Sequence, residues 1–118
     1  MKLIIAGSRT LSPSPNEIAQ FLVDNGISRL RITEVVSGGA NGVDRCGELY
    51  AAQFNIPTKL FPADWKTHKK AAGPIRNKQM ATYADAALVI MMVGGSKGSM
   101  NLVNHMKQLN KPVYIVYQ

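Results

Sequence analysis

Short apolar runs alternate with stretches of helical periodicity from one end of the chain to the other, and few folds satisfy that order. Lys2–Ala6, Glu34–Ser37, Thr58–Phe61, Ala86–Met92 and Pro112–Tyr117 read as strands. Between them, apolar residues recur at helical spacing: Ile18, Phe21 and Leu22; then Val43, Cys46, Tyr50, Ala51 and Phe54. A third set holds Ile75, Met80 and Tyr83 inward, and a fourth holds Leu102, Val103, Met106 and Leu109. About five strands and four helices in alternation call for a central parallel sheet with helices on both faces, because right-handed crossovers place them there. The expected class is therefore an α/β three-layer sandwich, and the 118 residues suffice for one domain, 1–118.

Local signals set the boundaries. Ser14 caps the first helix, Pro15 suits its first position, and Glu17 completes a capping box. Gly26 is a natural stop. Ile27–Thr33 fits either a short strand or an irregular link. Ala63–Lys70 is polar and basic without periodicity and reads as a loop, with the third helix expected over about Pro74–Tyr83. Ala86–Met92 is continuously apolar, as strands at the centre of parallel sheets are.

Three glycine turns follow strands: Gly7-Ser8-Arg9, Ser37-Gly38-Gly39-Ala40-Asn41-Gly42-Val43-Asp44, and Gly94-Gly95-Ser96-Lys97-Gly98-Ser99. Such turns let backbone come close to a ligand and aim N–H groups at it. In doubly wound sheets, ligands bind at the carboxyl ends of the strands beside the switch in strand order, and all three turns fall at such ends. One anion-accepting site built from three loops is the expectation. Arg9 and Arg76 can fork onto phosphate or carboxylate in paired hydrogen bonds. Lys97 and Ser99 are candidates for a phosphate, and Asp44 for a ribose hydroxyl or for the dipole of the helix it opens. Asn77 follows Arg76 and is expected at the same cleft. The second turn lacks the Gly-Lys-Ser/Thr ending of a Walker loop, and the first strand lacks G-x-G-x-x-G.

The formal charge of +7 favours a phosphorylated or polyanionic partner. Lys66, Lys69, Lys70 and Lys78 are candidates for a positive rim, and Trp65 for stacking on a base or for covering the core edge. Cys46, His68 and His105 have no metal-ligand spacing, so neither a metal nor a further cofactor is expected. The single cysteine excludes an internal disulfide and fits a reducing compartment. The apolar run after Met1-Lys2 is too brief for a signal peptide, and no run is long enough to cross a bilayer. A cytoplasmic protein without membrane contact is expected.

With those pieces assembled, the chain resembles the SLOG superfamily, the Rossmann-like fold of LOG-type phosphoribohydrolases and DprA/Smf proteins, in its small stand-alone YspA/YpsA-like branch. The matching pieces run in family order. They are Gly7-Ser8-Arg9, the Ser37–Asp44 loop, Ala63-Asp64-Trp65, Ala72-Gly73-Pro74-Ile75-Arg76-Asn77-x-x-Met80, Ala84-Asp85-Ala86 and Gly95-Ser96-Lys97-Gly98-Ser99. The resemblance implies binding, sensing or sequestering of a nucleotide or nucleotide-derived ligand, such as ADP-ribose or a nucleoside phosphate. Its contacts are expected among Gly7, Ser8, Arg9, Ser37, Gly38, Gly39, Ala40, Gly42, Val43, Asp44, Asp64, Arg76, Asn77, Gly94, Gly95, Ser96, Lys97, Gly98 and Ser99.

Two alternatives come with the resemblance. LOG enzymes cleave an N-glycosidic bond with an arginine, matched by Arg76, and a glutamate in the pattern G-G-x-G-T-x-x-E. Here Gly98-Ser99 leads to Met100-Asn101-Leu102, so the carboxylate that would support an oxocarbenium-type displacement is missing. Asp44, Glu48 or Asp64 would have to substitute. DprA-like proteins bind single-stranded DNA, which a basic chain also suits, although aromatics for stacking are only 7% of the residues. LOG relatives are often dimers, which implies a homo-oligomer.

Overall fold

The computed structural model describes all residues, Met1–Gln118. Its elements in chain order are β1 (Lys2–Gly7), α1 (Pro15–Asp24), β2 (Glu34–Ser37), α2 (Val43–Gln53), β3 (Thr58–Leu60), α3 (Trp65–His68), α4 (Ala72–Tyr83), β4 (Ala86–Met91), α5 (Lys97–Gln108) and β5 (Val113–Tyr117). The five strands form one sheet in the order β3-β2-β1-β4-β5, with every pair parallel. This is a Rossmann-like α/β sandwich. The order reverses between β1 and β4, and that junction is where a doubly wound sheet opens a crevice.

Alternation along the central strands explains why their sequences are apolar without interruption. Leu3 and Ile5 of β1, with Leu88 and Ile90 of β4, pack toward Ile18, Leu22, Cys46 and Tyr50 of α1 and α2. Ile4 and Ala6, with Val89 and Met91, pack toward Met80, Leu102, Val103 and Met106 of α4 and α5. Each side chain so buried stabilises the fold by roughly 1.5–3 kcal/mol when it is a Val, Leu, Ile or Met. Gly47 lets α2 lie directly on β1, because a Cβ there would stand 2.8 Å from Ile5 Cβ. The edge strands are less apolar in their burial: β3 is exposed throughout and β5 is mostly half-buried.

Capping decides several ends. Ser14 Oγ accepts from Glu17 N while Glu17 Oε1 accepts from Ser14 N, so the capping box read in the sequence is formed. Ile27–Thr33 is a link containing one 3-10 turn at Arg29–Arg31, opened by Ser28, whose hydroxyl accepts from Leu30 N.

Four readings need correction. Ala63–Lys70 is not simply a loop: Asp64 Oδ1 accepts from Thr67 N and starts α3, and a 3-10 turn at Lys69–Ala71 then runs into α4. A four-residue helix is too short for periodicity to reveal. Consequently α4 starts at Ala72, two residues earlier than expected, with the turn before it in place of a side-chain cap. Ile75 does not point inward; it is exposed on the outer face of α4, while Ala72, Asn77, Met80 and Ala81 are buried. Leu109 is likewise exposed, because α5 ends at Gln108 and the chain turns away through Asn110, whose φ is 56°.

Candidate functional site

The site begins where β1 ends. Gly7 pairs with Ile90 of β4, and a Cβ on Gly7 would stand 1.8 Å from Ile90 O, so only glycine permits this approach of the two central strands. Ser8 N then donates to Ile90 O at 3.0 Å, which turns the chain over the crevice and presents Arg9 on its exposed rim. Ser8 Oγ and Thr10 Oγ1 lie 2.9 Å apart and stiffen that turn.

The second loop docks on the first. Val43 N donates to Ser8 O at 3.1 Å. Gly42 has φ 79°, and a Cβ on it would come within 2.4 Å of that same oxygen, so conformation and space both demand glycine. At the loop's start, buried Ser37 accepts from Gly39 N at 3.1 Å and donates to Glu48 Oε2 at 2.8 Å. Glu48 is thereby committed to bracing the loop from α2.

From α4, two neighbouring side chains hold the rest together. Arg76 Nη1 donates to Gly38 O at 2.7 Å, and Arg76 Nε donates to Asn77 Oδ1 at 3.1 Å. Asn77, buried, in turn donates through Nδ2 to Gly98 O and to Asn101 Oδ1, both at 3.1 Å. The second and third loops are thus coupled through one arginine and one asparagine. The third loop itself is set by Ser96, whose hydroxyl accepts from Ser99 N at 3.2 Å and caps α5.

These three loops and α4 enclose a cavity of about 350 Å³ at the β1/β4 junction. Gly7, Ser8, Arg9, Ala40, Asp44, Arg76, Asn77, Ser96, Gly98 and Ser99 line it. A neighbouring cavity of about 510 Å³ shares Arg9, Ala40 and Arg76 and adds Gly38 and Gly39. Of the remaining nominated residues, Ser37 and Val43 lie buried behind the second loop, and Gly42 packs on Ser8. Asp64 caps α3, and Gly94, Gly95 and Lys97 line neither cavity. Sequence reasoning misses Ala6, Thr10 and Leu102 in the first cavity, and Leu60 and Pro62 in the second. Met80, which ends the Arg76-Asn77-x-x-Met80 piece, lines the first cavity as well. Leu102 carries a core signal only, while Leu60 and Pro62 sit at a strand carboxyl end with no glycine to mark it.

Electrostatics in the first cavity are dominated by two cations and one masked carboxylate. Burial pushes the Asp44 carboxyl up to about 6, against hydrogen bonding from Ala40 and Gly7 N–H groups and attraction to Arg76. Arg76 is held below its usual value first by burial, eased by Asp44, and then by the positive charge of Arg9. Two arginines that repel each other across a crevice are relieved by an anion between them. The first turn of α5 opens on the same space through Ser96, Gly98 and Ser99, and helix N-termini favour anions. Leu102, the third residue after Ser99 and so at the place of the LOG glutamate, lines this cavity with an apolar side chain. No group of three or more His, Cys, Asp or Glu residues is placed to hold a metal ion, and no helix is long and apolar enough to cross a membrane.

Fold and site define a Rossmann-like module with a cationic crevice at the strand-order switch. The chain belongs to the YspA, cpYpsA-related SLOG family, whose model matches residues 1–68. Over 84 residues it is 31% identical to the Gene 61 protein of Mycobacterium phage D29, a match covering 67% of each chain. The fold is similar to that of DNA processing protein A (DprA) from Streptococcus pneumoniae, with a TM-score of 0.71 at 20% identity. That likeness covers 97% of this chain and 49% of DprA, so the chain spans about half of that protein's length. The family match ends within α3; Arg76, Asn77 and the third loop lie beyond it and join the site through the hydrogen bonds above.

Proposed function

We propose that this protein binds a nucleotide or nucleotide-derived ligand, such as a nucleoside phosphate or ADP-ribose, with its phosphate in the crevice at the β1/β4 junction. One observation carries the reading: Arg9 and Arg76 converge on a cavity that also receives the first turn of α5. Arg76 spends Nε and one Nη1 hydrogen on Asn77 and Gly38, which leaves three of its five N–H donors for a ligand. Asp44, buried in the wall of the same space, is suited to a ribose hydroxyl as acceptor or, when protonated, as donor. Family membership supports the reading at the level of a ligand-binding Rossmann-like module.

The role proposed is binding, as in sensing or sequestering, rather than LOG-type hydrolysis. Leu102 offers no carboxylate where the LOG pattern places one, Glu48 is occupied by Ser37, and Asp64 caps α3. Asp44 alone of the three substitutes lines the cavity, where it accepts from Ala40 N, and release of free base from AMP is the assay that would assign it a catalytic role. Isothermal titration of a panel of nucleoside phosphates and ADP-ribose tests the proposal. Saturable binding that is lost in Arg76→Ala supports it, and absence of binding at millimolar ligand overturns it.

A second reading, single-stranded nucleic acid binding, is favoured by the fold shared with a DNA processing protein and by the exposed lysines Lys66, Lys69, Lys70 and Lys78 of the segment that leads into α4 and of α4 itself. It requires oligonucleotide affinity that falls steeply with salt. Absent or salt-independent retention in a gel-shift series removes it.

A further inference from the structure

The crevice is only half of a larger space. Beyond Arg9 and Arg76, the neighbouring cavity of about 510 Å³ has walls of another chemistry: Leu60, Pro62, Ala63 and Trp65 stand opposite the backbone of Gly38 and Gly39. All four apolar residues come from the chain leaving β3, so this is a fourth strand end contributing to the site, unmarked by glycine. Trp65 is 51% exposed, and its ring reaches α4 at Gly73, where a Cβ would lie 3.5 Å from Cη2. It is the first residue of α3, which Asp64 caps. A large half-exposed indole on the wall of a cavity, with two guanidinium groups at the opening, matches a flat ring joined to an anion.

We propose that this second chamber is the subsite for a planar heterocyclic base, stacked on Trp65, while the attached phosphate lies between Arg9 and Arg76 in the first chamber. The inference rests on the nucleotide reading above and specifies it. Selectivity for the base then resides in the Leu60–Trp65 segment together with Asn41 of the second glycine loop, which lines the same chamber. Trp65 and the apolar Leu60, Pro62 and Ala63 set discrimination by ring size and stacking strength, and the Asn41 amide is the side chain there that can read a base edge.

Trp65 is the single tryptophan of the chain, so its fluorescence reports on this chamber alone. The test titrates AMP and ribose 5-phosphate, which differ by the base, into the wild-type protein and Trp65→Ala, using calorimetry for both and fluorescence for the wild type. The expected result is AMP binding on the order of tenfold tighter than ribose 5-phosphate, with AMP alone changing the Trp65 emission. Trp65→Ala should bring AMP down to the ribose 5-phosphate level and leave ribose 5-phosphate unchanged; Trp65→Phe should restore most of the difference. Equal affinities for the two ligands, or an equal loss of both in Trp65→Ala, overturns the base subsite while the phosphate site stands. If neither ligand binds and the nucleotide panel is also silent, both readings fall together.

Discussion

Arg76 and Gly38 meet in a contact that leaves no room for a side chain on either partner's terms. Arg76 Nη1 donates to Gly38 O at 2.7 Å, and the place where a Cβ on Gly38 would stand is 2.5 Å from that same nitrogen and 2.8 Å from Asp44 Oδ2. The glycine therefore works as a spacer. It lets a guanidinium and a carboxylate approach the same backbone atom from two helices, α4 and α2, and so defines the width of the crevice.

Gly38→Ala should consequently damage binding more than folding. The methyl group must push Arg76 or Asp44 aside, and overpacking of this kind typically destabilises by about 1–3 kcal/mol. Arg76 is the more flexible of the two and gives way first, taking its remaining donors with it. Urea melts should show that modest loss, while calorimetry should show phosphate-ligand affinity falling at least tenfold. Wild-type affinity in a folded Gly38→Ala protein would contradict the spacer role.

Asp44 gives stability an unusual pH dependence. Its carboxyl is raised to about 6 in the folded protein from 3.8, first by burial. Between those values the native state holds a proton that the unfolded chain has released, so stability falls as pH rises toward 6 and levels off above it. The difference amounts to at most roughly 3 kcal/mol. Melts at pH 4.5 and 7.5 should show this fall in the wild type and its absence in Asp44→Asn, which still offers an acceptor to Ala40 N. At pH 7.5 the variant should equal or exceed the wild type in stability. A wild type that gains stability over the same range through this residue would reverse the assignment.

Asn77 is the joint between Arg76 and the third loop, so its variants should separate two effects. Asn77→Ala removes the acceptor from Arg76 Nε and the donor from Gly98 O and Asn101 Oδ1, all part-buried bonds whose loss costs about 0.5–1.5 kcal/mol each where water replaces the partner. Asn77→Asp keeps an acceptor for Arg76 Nε, but it sets a carboxylate oxygen against Gly98 O and Asn101 Oδ1 and adds a negative charge to the anion crevice. Hydrogen exchange should then show faster opening at Ser96–Asn101 in both variants, with phosphate-ligand affinity reduced further in Asn77→Asp. Equal protection of that segment in all three proteins would dissociate Asn77 from the loop.

The central architecture was legible because burial on both faces leaves a signature that survives in sequence. Ile4 and Ile5, or Leu88 and Val89, are apolar in succession since each faces a different layer of helices. The glycine turns were legible for a related reason: Gly7 and Gly42 stand where no other side chain fits. What escaped was whatever depends on a partner distant in the chain. Glu48 looks like a surface acid on α2 until Ser37 is found beside it, 2.8 Å away. Lys97 looked like the natural phosphate ligand of its loop, yet it lines neither cavity, whereas Thr10 and Leu102, which carry no motif, line the first. The strand Thr58–Phe61 was itself legible, but the part its carboxyl end plays in the second cavity was not, because no glycine turn marks it.

That segment supplies the last prediction. Asp64 is exposed, yet its carboxyl is held below the usual range, first by the Thr67 hydroxyl and then by the Thr67 N–H. Both interactions favour the ionised form, so the cap is present above the ordinary carboxylate range and is lost as pH falls through the depressed value. Asp64→Ala removes it at every pH and frees the start of α3, with Trp65 as the first residue released. Iodide quenching of the Trp65 emission should rise in Asp64→Ala at neutral pH, and rise in the wild type only on acidification. Asp64→Asn, which retains an acceptor for Thr67 N, should stay near the wild type at neutral pH and show no acid transition. Global stability should change little, because α3 contributes no buried residue. Unchanged quenching in Asp64→Ala would mean that Gly73 and the flanking chain hold the indole without the cap.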